Sequence, residues 1–142
     1  MSSKVFLCFD HGEKRLGVAV GQSITATATP LQTLLCKNGK PDWKEVARLI
    51  KHWQPSDFVV GMPLTMEGHR QEATEAAERF ARQLHGRYLL PVHMADERLS
   101  SLEARHRLQS SYNIDAHAAQ LILESWLAEQ ALTETDATMH GH

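Results

Sequence analysis

Along "KVFLCFD", Lys4 to Asp10, apolar side chains fill both alternating faces, the pattern of a central strand covered by helices on each side, and a carboxylate closes the run. His11-Gly12-Glu13-Lys14 reads as a tight connection, after which "RLGVAVG" resumes the apolar run, so the first two strands are expected to form a hairpin. A third strand is expected within Ile24 to Leu35. "PDWKEVARLIKHW" then switches to helical period: Asp42 caps with Glu45 three residues on, and Trp43, Val46, Ala47, Ile50 and Trp53 make one apolar face. "DFVVGMPL" predicts a short buried strand ending at Gly61. Gln71 to Leu84 predicts a second helix with Ala73, Ala77, Phe80, Ala81 and Leu84 inward, and "YLLPVHM" a fifth strand. Ser100 with Glu103 forms a further capping box, predicting a helix from just after Arg98 to about Gln109 and setting Glu97 at a strand-to-helix junction.

The last helix, "NIDAHAAQLILESWLAEQAL", buries a stripe of Ala119, Ile122, Leu123, Trp126 and Leu127. Asp115 shares that stripe at i, i+4, i+7 and i+11 with Ala119, Ile122 and Trp126, so an acid is aimed towards the protein. Ala131 to His142 reads as a frayed tail. Hairpin-led strands followed by alternating helix and strand predict a mixed α/β fold: a five-stranded sheet, its first three strands antiparallel, with helices on both faces.

Composition narrows this picture only a little. The 142 residues contain no Gly-, Ser- or Pro-rich linker and are read as one domain, 1–142. A net charge of −2 argues against a strongly basic nucleic-acid coat but allows a local basic patch. Cys8 and Cys36 lie in apolar surroundings without C-x-x-C spacing or a signal peptide, as expected of reduced thiols in a cytoplasmic protein. No apolar run approaches the roughly 20 residues of a membrane span. The nine histidines include no H-E-x-x-H and no Cys/His cluster, and most read as surface residues.

Asp10, Glu97 and Asp115 are more informative. Each stands at the end of an element and points towards the core, and in an α/β sheet ligands gather at the ends of central strands. Three carboxylates meeting there would repel unless protonated or neutralised by divalent cations. Hard oxygen donors suit Mg²⁺ or Mn²⁺, and two such ions about 4 Å apart support phosphodiester hydrolysis. Each acid also has a plainer reading: Asp115 favouring a helix dipole, Glu97 a loop acid paired with Arg98, Asp10 an Asx-turn residue before Gly12. Lys14, Arg15 and Arg98 flank two of the acids and Arg70 begins a helix, so these four are candidate phosphate contacts. "GEKRLG" at Gly12 to Gly17 lacks the Gly-Lys-Ser/Thr ending and precedes a strand, which excludes an NTPase P-loop. Trp43 and Trp53, at helical spacing, read as core residues and not base-stacking platforms.

"FDHGEKRLGVAVG", "VVGMPLTMEGHRQEAT", "DERLSSLEA" and "NIDAHAAQLILESWL" resemble, in order, the four motifs of the YqgF (RuvX) family, bacterial proteins related to the RuvC Holliday-junction resolvases. The resemblance spans Val5 to about Leu127. It implies an RNase H-like fold and a cytoplasmic nuclease that matures the 5′ end of pre-16S ribosomal RNA, and it matches Asp10, Glu97 and Asp115 to the family's acidic positions. The chain departs from the family pattern at His11, within the first motif, and at Thr65, where asparagine is common. A third departure is the short "SSY" connection after Gln109. Against the RuvC pattern the fourth expected strand ends in Gly61-Met62 with no carboxylate, so Glu97 must reach the site from the next junction.

The leading expectation is therefore a Mg²⁺- or Mn²⁺-dependent nuclease acting on pre-16S rRNA or the pre-ribosome. It would act as a monomer or homodimer without a membrane partner, with Asp10 bridging two ions and Glu97 and Asp115 completing their ligation. A DNA junction resolvase would use the same acids. An RNA-binding ribosome-assembly factor with a silent site is a third reading. An actin-like or sugar-kinase ATPase is a fourth, for which one domain is too few.

Overall fold

The computed structural model describes residues 3–100 and 114–140. Strands β1 (Val5–His11) and β2 (Arg15–Gln22) form the expected hairpin, closed by the Gly12 N–H on the Arg15 carbonyl at 2.9 Å. β3 (Thr27–Lys37) pairs antiparallel with β2 and with the short β4 (Lys40–Pro41), β5 (Asp57–Met62) pairs parallel with β1, and β6 (Val92–Asp96) pairs parallel with β5, giving the order β4-β3-β2-β1-β5-β6. The sheet thus has six strands where the sequence pattern predicts five. The extra one, β4 (Lys40–Pro41), spans two residues paired with Cys36 and Lys37 across the Asn38-Gly39 turn, too short to show any periodicity.

Strand alternation divides the core into two layers. Leu7 and Phe9 of β1 pack with Val46 and Leu49 of α1 (Trp43–Trp53) and Phe80 of α2 (Glu72–Tyr88). Phe6 and Cys8 point the other way, against Ala119, Ile122 and Leu123 of α3 (Ile114–His140). Trp43 and Trp53 pack against the first layer, as expected. Within the described residues, no helix is long and apolar enough to cross a membrane.

Two inner faces differ in detail. In α1 Leu49 is buried and Ala47 exposed, because the larger side chain covers more of the sheet. In α2 Thr74 is buried instead of Ala73. Its hydroxyl is satisfied by the Pro63 carbonyl and, at 3.1 Å, by the Gln71 N–H. α2 also runs on to Tyr88, leaving only Val92–Asp96 for the last strand. α3 continues to His140, past Ala131, where the sequence reading places a frayed tail. The helix expected up to Gln109 and the "SSY" connection fall mainly or wholly outside the described residues. The chain leaves β6 through a single 3₁₀ turn, Glu97–Leu99.

Candidate active site

Asp10 follows Phe6 and Cys8 on the face covered by α3 and stands near the carboxyl end of β1. Across the hairpin it is paired with Gly17 of β2. On its other side β5 runs parallel, with Phe9 opposite Val60, so that Gly61 follows beside Asp10. The acid is therefore flanked by two glycines whose missing side chains leave room on the α3 face.

That room is filled by the other two acidic residues. A Cβ placed on Gly17 would lie 1.9 Å from the Asp115 carbonyl oxygen, so the start of α3 rests directly on the β2 backbone. A Cβ on Gly61 would lie 3.2 Å from Oε2 and 3.3 Å from Cγ of Glu97, so that side chain crosses from the end of β6 to cover β5. Asp10, Glu97 and Asp115 thus meet one face of the sheet around the end of β1. The charges of Asp10 and Glu97 are felt at the buried Cys8 thiol: burial pushes its pKa well up, and these two carboxylates push it further. Among the described residues no three His, Cys, Asp or Glu side chains are gathered tightly enough to hold a metal ion as they stand. Asp115 instead accepts a 3.0 Å hydrogen bond from Nε of Arg15 in an ion pair open to solvent.

Glu97 opens the 3₁₀ turn, and its carbonyl accepts from the Ser100 hydroxyl at 2.8 Å and from the Ser100 N–H at 3.3 Å. Next to it, Asp96 caps the turn by accepting from the Arg98 N–H at 2.9 Å. The Arg98 guanidinium forks onto the same carboxylate, with Nε 3.0 and 3.1 Å from its two oxygens and a terminal nitrogen 2.7 Å from one of them. Those Arg98 hydrogen bonds hold the Asp96 carboxyl below the usual carboxylate range, against a smaller upward push from burial. A groove of about 620 Å³ lies alongside, between this turn and the β5–α2 loop at Pro63, Leu64 and Met66.

Among the four cations with expected phosphate contacts, Lys14 is exposed on the hairpin turn and Arg15 is drawn to Asp115. Arg70 forks onto Glu78 of α2, at 2.5 and 2.6 Å, and Arg98 onto Asp96. His11 points away from the acids: its ring stacks on Phe80 at 5.1 Å, and Nε2 donates to the Gly39 carbonyl at 2.7 Å. Thr65 holds its own loop together, its hydroxyl accepting from the His69 N–H at 3.0 Å. Gly17, Gly61 and Asp96 also shape the candidate site; the sequence reading notes Gly61 only as a strand end without a carboxylate and passes over the other two. Gly17 and Gly61 carried a signal, since a glycine within an apolar strand marks close approach of another group. Asp96 carried none, because its value depends on where Arg98 folds back.

Comparison with known proteins gives the family and the fold. The RuvX family model, described as Holliday junction resolvase, matches residues 4–129. A protein of Azotobacter vinelandii named "Putative pre-16S rRNA nuclease" is 50% identical over 135 residues, covering 89% of this chain and 95% of its own. A protein of the same name from Hydrogenovibrio crunogenus is 48% identical, covering 87% and 92%. Among solved structures, Thermus thermophilus RuvC aligns with a TM-score of 0.54 at 14% identity, over 89% of this chain and 96% of that one. The yeast mitochondrial Holliday junction resolvase Ydc2 aligns with a TM-score of 0.52 at 13% identity, over 89% and 78%. These structural likenesses carry the fold, an RNase H-like α/β architecture of the RuvC kind. With a family model matched over residues 4–129 and relatives about half identical across most of their length, this chain belongs to the RuvX family.

Proposed function

We propose that this protein is a divalent-metal-dependent nuclease that hydrolyses phosphodiester bonds in precursor 16S rRNA and so matures its 5′ end in the cytoplasm. The single observation that carries the reading is that Asp10, the Glu97 side chain and the start of α3 at Asp115 lie on one face of the sheet, with Gly61 making room for Glu97 and Gly17 for the Asp115 backbone. The names of relatives 48–50% identical to the chain support the RNA substrate.

The donor set fits Mg²⁺ or Mn²⁺. All three groups are hard carboxylate oxygens, and the one thiol beside them, Cys8, is kept protonated by burial and by its acidic neighbours. Asp10, Glu97 and Asp115 would hold the ions. When bound, such ions supply an activated water and stabilise charge on the leaving oxygen. Asp10 stands on a central strand, paired on both sides by β2 and β5. Glu97 and Asp115 are brought to it from β6 and α3. Arg15 pairs with the Asp115 carboxylate, and with the exposed Lys14 it offers positive charge to a backbone phosphate beside the acids. Arg70 and Arg98 would reach a phosphate only by leaving their carboxylate partners. The unit acts as one domain, as a monomer or homodimer.

The test is cleavage of a 5′-extended 16S precursor RNA with Mn²⁺, Mg²⁺ or chelator by wild type and Asp10→Asn. Metal-dependent cutting abolished by the substitution is expected. Full activity of Asp10→Asn would overturn the site. The family description favours one second reading, cleavage of branched DNA, and a four-way junction assayed at the same salt separates the two. RNA binding without turnover in both proteins would point to an assembly factor.

A further inference from the structure

We infer that the Asp96–Arg98 ion pair is a positioning device for Glu97, and that Arg98 serves the reaction through this pair and not as a phosphate contact. The inference rests on the reading of Glu97 as an active-site acid.

Glu97 is the only one of the three acids outside a regular element: Asp10 belongs to β1 and Asp115 to α3, whereas Glu97 opens a single 3₁₀ turn. A side chain on so short a turn needs its backbone fixed from outside if the carboxylate is to stay over Gly61. Its two sequence neighbours supply that fixation. Asp96 and Arg98 project together and are joined by three side-chain hydrogen bonds of 2.7 to 3.1 Å, and the Arg98 N–H closes the turn on Asp96 at 2.9 Å. Ser100 grips the Glu97 carbonyl through its hydroxyl.

The same guanidinium ties the turn to the neighbouring loop. Its other terminal nitrogen is 3.4 Å from the Met66 carbonyl, and it lies against Gly68, where a Cβ would come within 3.1 Å of it. One planar cation therefore joins the β6 terminus, the Glu97 turn and the β5–α2 loop. The Asp96 and Arg98 side chains are 25% and 40% exposed, and a pair so open to solvent contributes little to global stability. Its geometric effect is different in kind: a fork bound to both oxygens of a carboxylate sets orientation, which a lysine ammonium cannot do.

The test compares Asp96→Asn, Arg98→Lys and the double variant with wild type and Glu97→Gln in three assays. These are kcat and KM for precursor-RNA cleavage, Mn²⁺ affinity of the RNA-free protein by calorimetry, and the salt dependence of RNA binding in chelator. Asp96→Asn and Arg98→Lys are each expected to lower kcat and weaken Mn²⁺ binding about ten- to a hundredfold. The RNA affinity and its salt slope should stay at the wild-type value. Because both substitutions cut one linkage, the double variant should be no worse than the worse single.

A direct phosphate contact would behave otherwise, and either of two results overturns the inference. One is Arg98→Lys cleaving like wild type; the other is Asp96→Asn doing so while Arg98→Ala lowers the salt slope of RNA binding by about one. Glu97→Gln separates the two levels. Full activity in that variant removes the active-site reading and this inference with it. An inactive Glu97→Gln beside fully active Asp96→Asn and Arg98→Lys removes this inference alone. Melting temperatures check folding, and Asp96→Glu, which keeps the charge but displaces the carboxylate, replaces Asp96→Asn in the cycle if the latter melts early.

Discussion

The Glu97 side chain occupies the space that a side chain on Gly61 would fill, with Oε2 3.2 Å and Cγ 3.3 Å from the position of the missing Cβ. β5 thus contributes no carboxylate at its end, but it accommodates one delivered from β6. Gly61→Ala is expected to push Glu97 and Ile122 Cδ1, 2.9 Å from the new methyl, out of place. Both are ends of movable side chains, so the fold yields at a cost below about 2 kcal/mol. Metal-dependent cleavage should fall about tenfold or more. Parallel melting and cleavage assays check this, and a variant that loses stability but keeps its activity would contradict it.

Gly17 poses the opposite case. Here the obstacle is the Asp115 backbone, 1.9 Å from the missing Cβ, and backbone cannot rotate aside. Gly17→Ala should displace the start of α3 from the sheet, cost about 3 kcal/mol or more in denaturant unfolding, and abolish cleavage together with stability.

Arg15 and Asp115 lie 100 positions apart in the chain and form an exposed ion pair. Such pairs contribute about 1 kcal/mol at most, so Arg15→Gln should leave the unfolding free energy nearly unchanged. The same substitution removes a positive charge from the Asp115 carboxylate. Calorimetric titration of the RNA-free protein should then show several-fold tighter Mn²⁺ binding; weaker binding would mean that Arg15 orients the acid instead of competing with the ion.

His11 makes stability sensitive to mild acid. Burial lowers its pKa from 6.5; the Gly39 carbonyl partly opposes this, and Arg79 adds to the lowering. The unfolded chain therefore takes up this proton at a higher pH than the folded one. The His11 contribution is fully present above about pH 6.5 and is lost as pH falls through the lower folded-state value. His11→Gln should flatten that part of the unfolding free energy profile between neutral and mildly acidic pH.

The sequence by itself determined most of the elements and singled out the three candidate acids. Apolar runs on both faces of "KVFLCFD" and "DFVVGM" required a covered central sheet, and the helical periods of α1, α2 and α3 required the layers that cover it. Asp10 at the close of one apolar run and Asp115 on an apolar stripe were legible because a carboxylate in those positions needs a partner. Local pattern was silent where a contact joined distant segments. Whether Ala47 or Leu49, Ala73 or Thr74, faced the core depended on what the opposing sheet offered. β4 existed only because Lys37 could pair with Lys40 across a turn. Only the tertiary structure decided that Glu97 would cross onto Gly61, that Asp115 would rest on Gly17, and that Arg98 would fold back on Asp96. Periodicity reports which face of an element is apolar; which atoms meet across elements is set by packing, and at this site packing follows from the space that two glycines leave open.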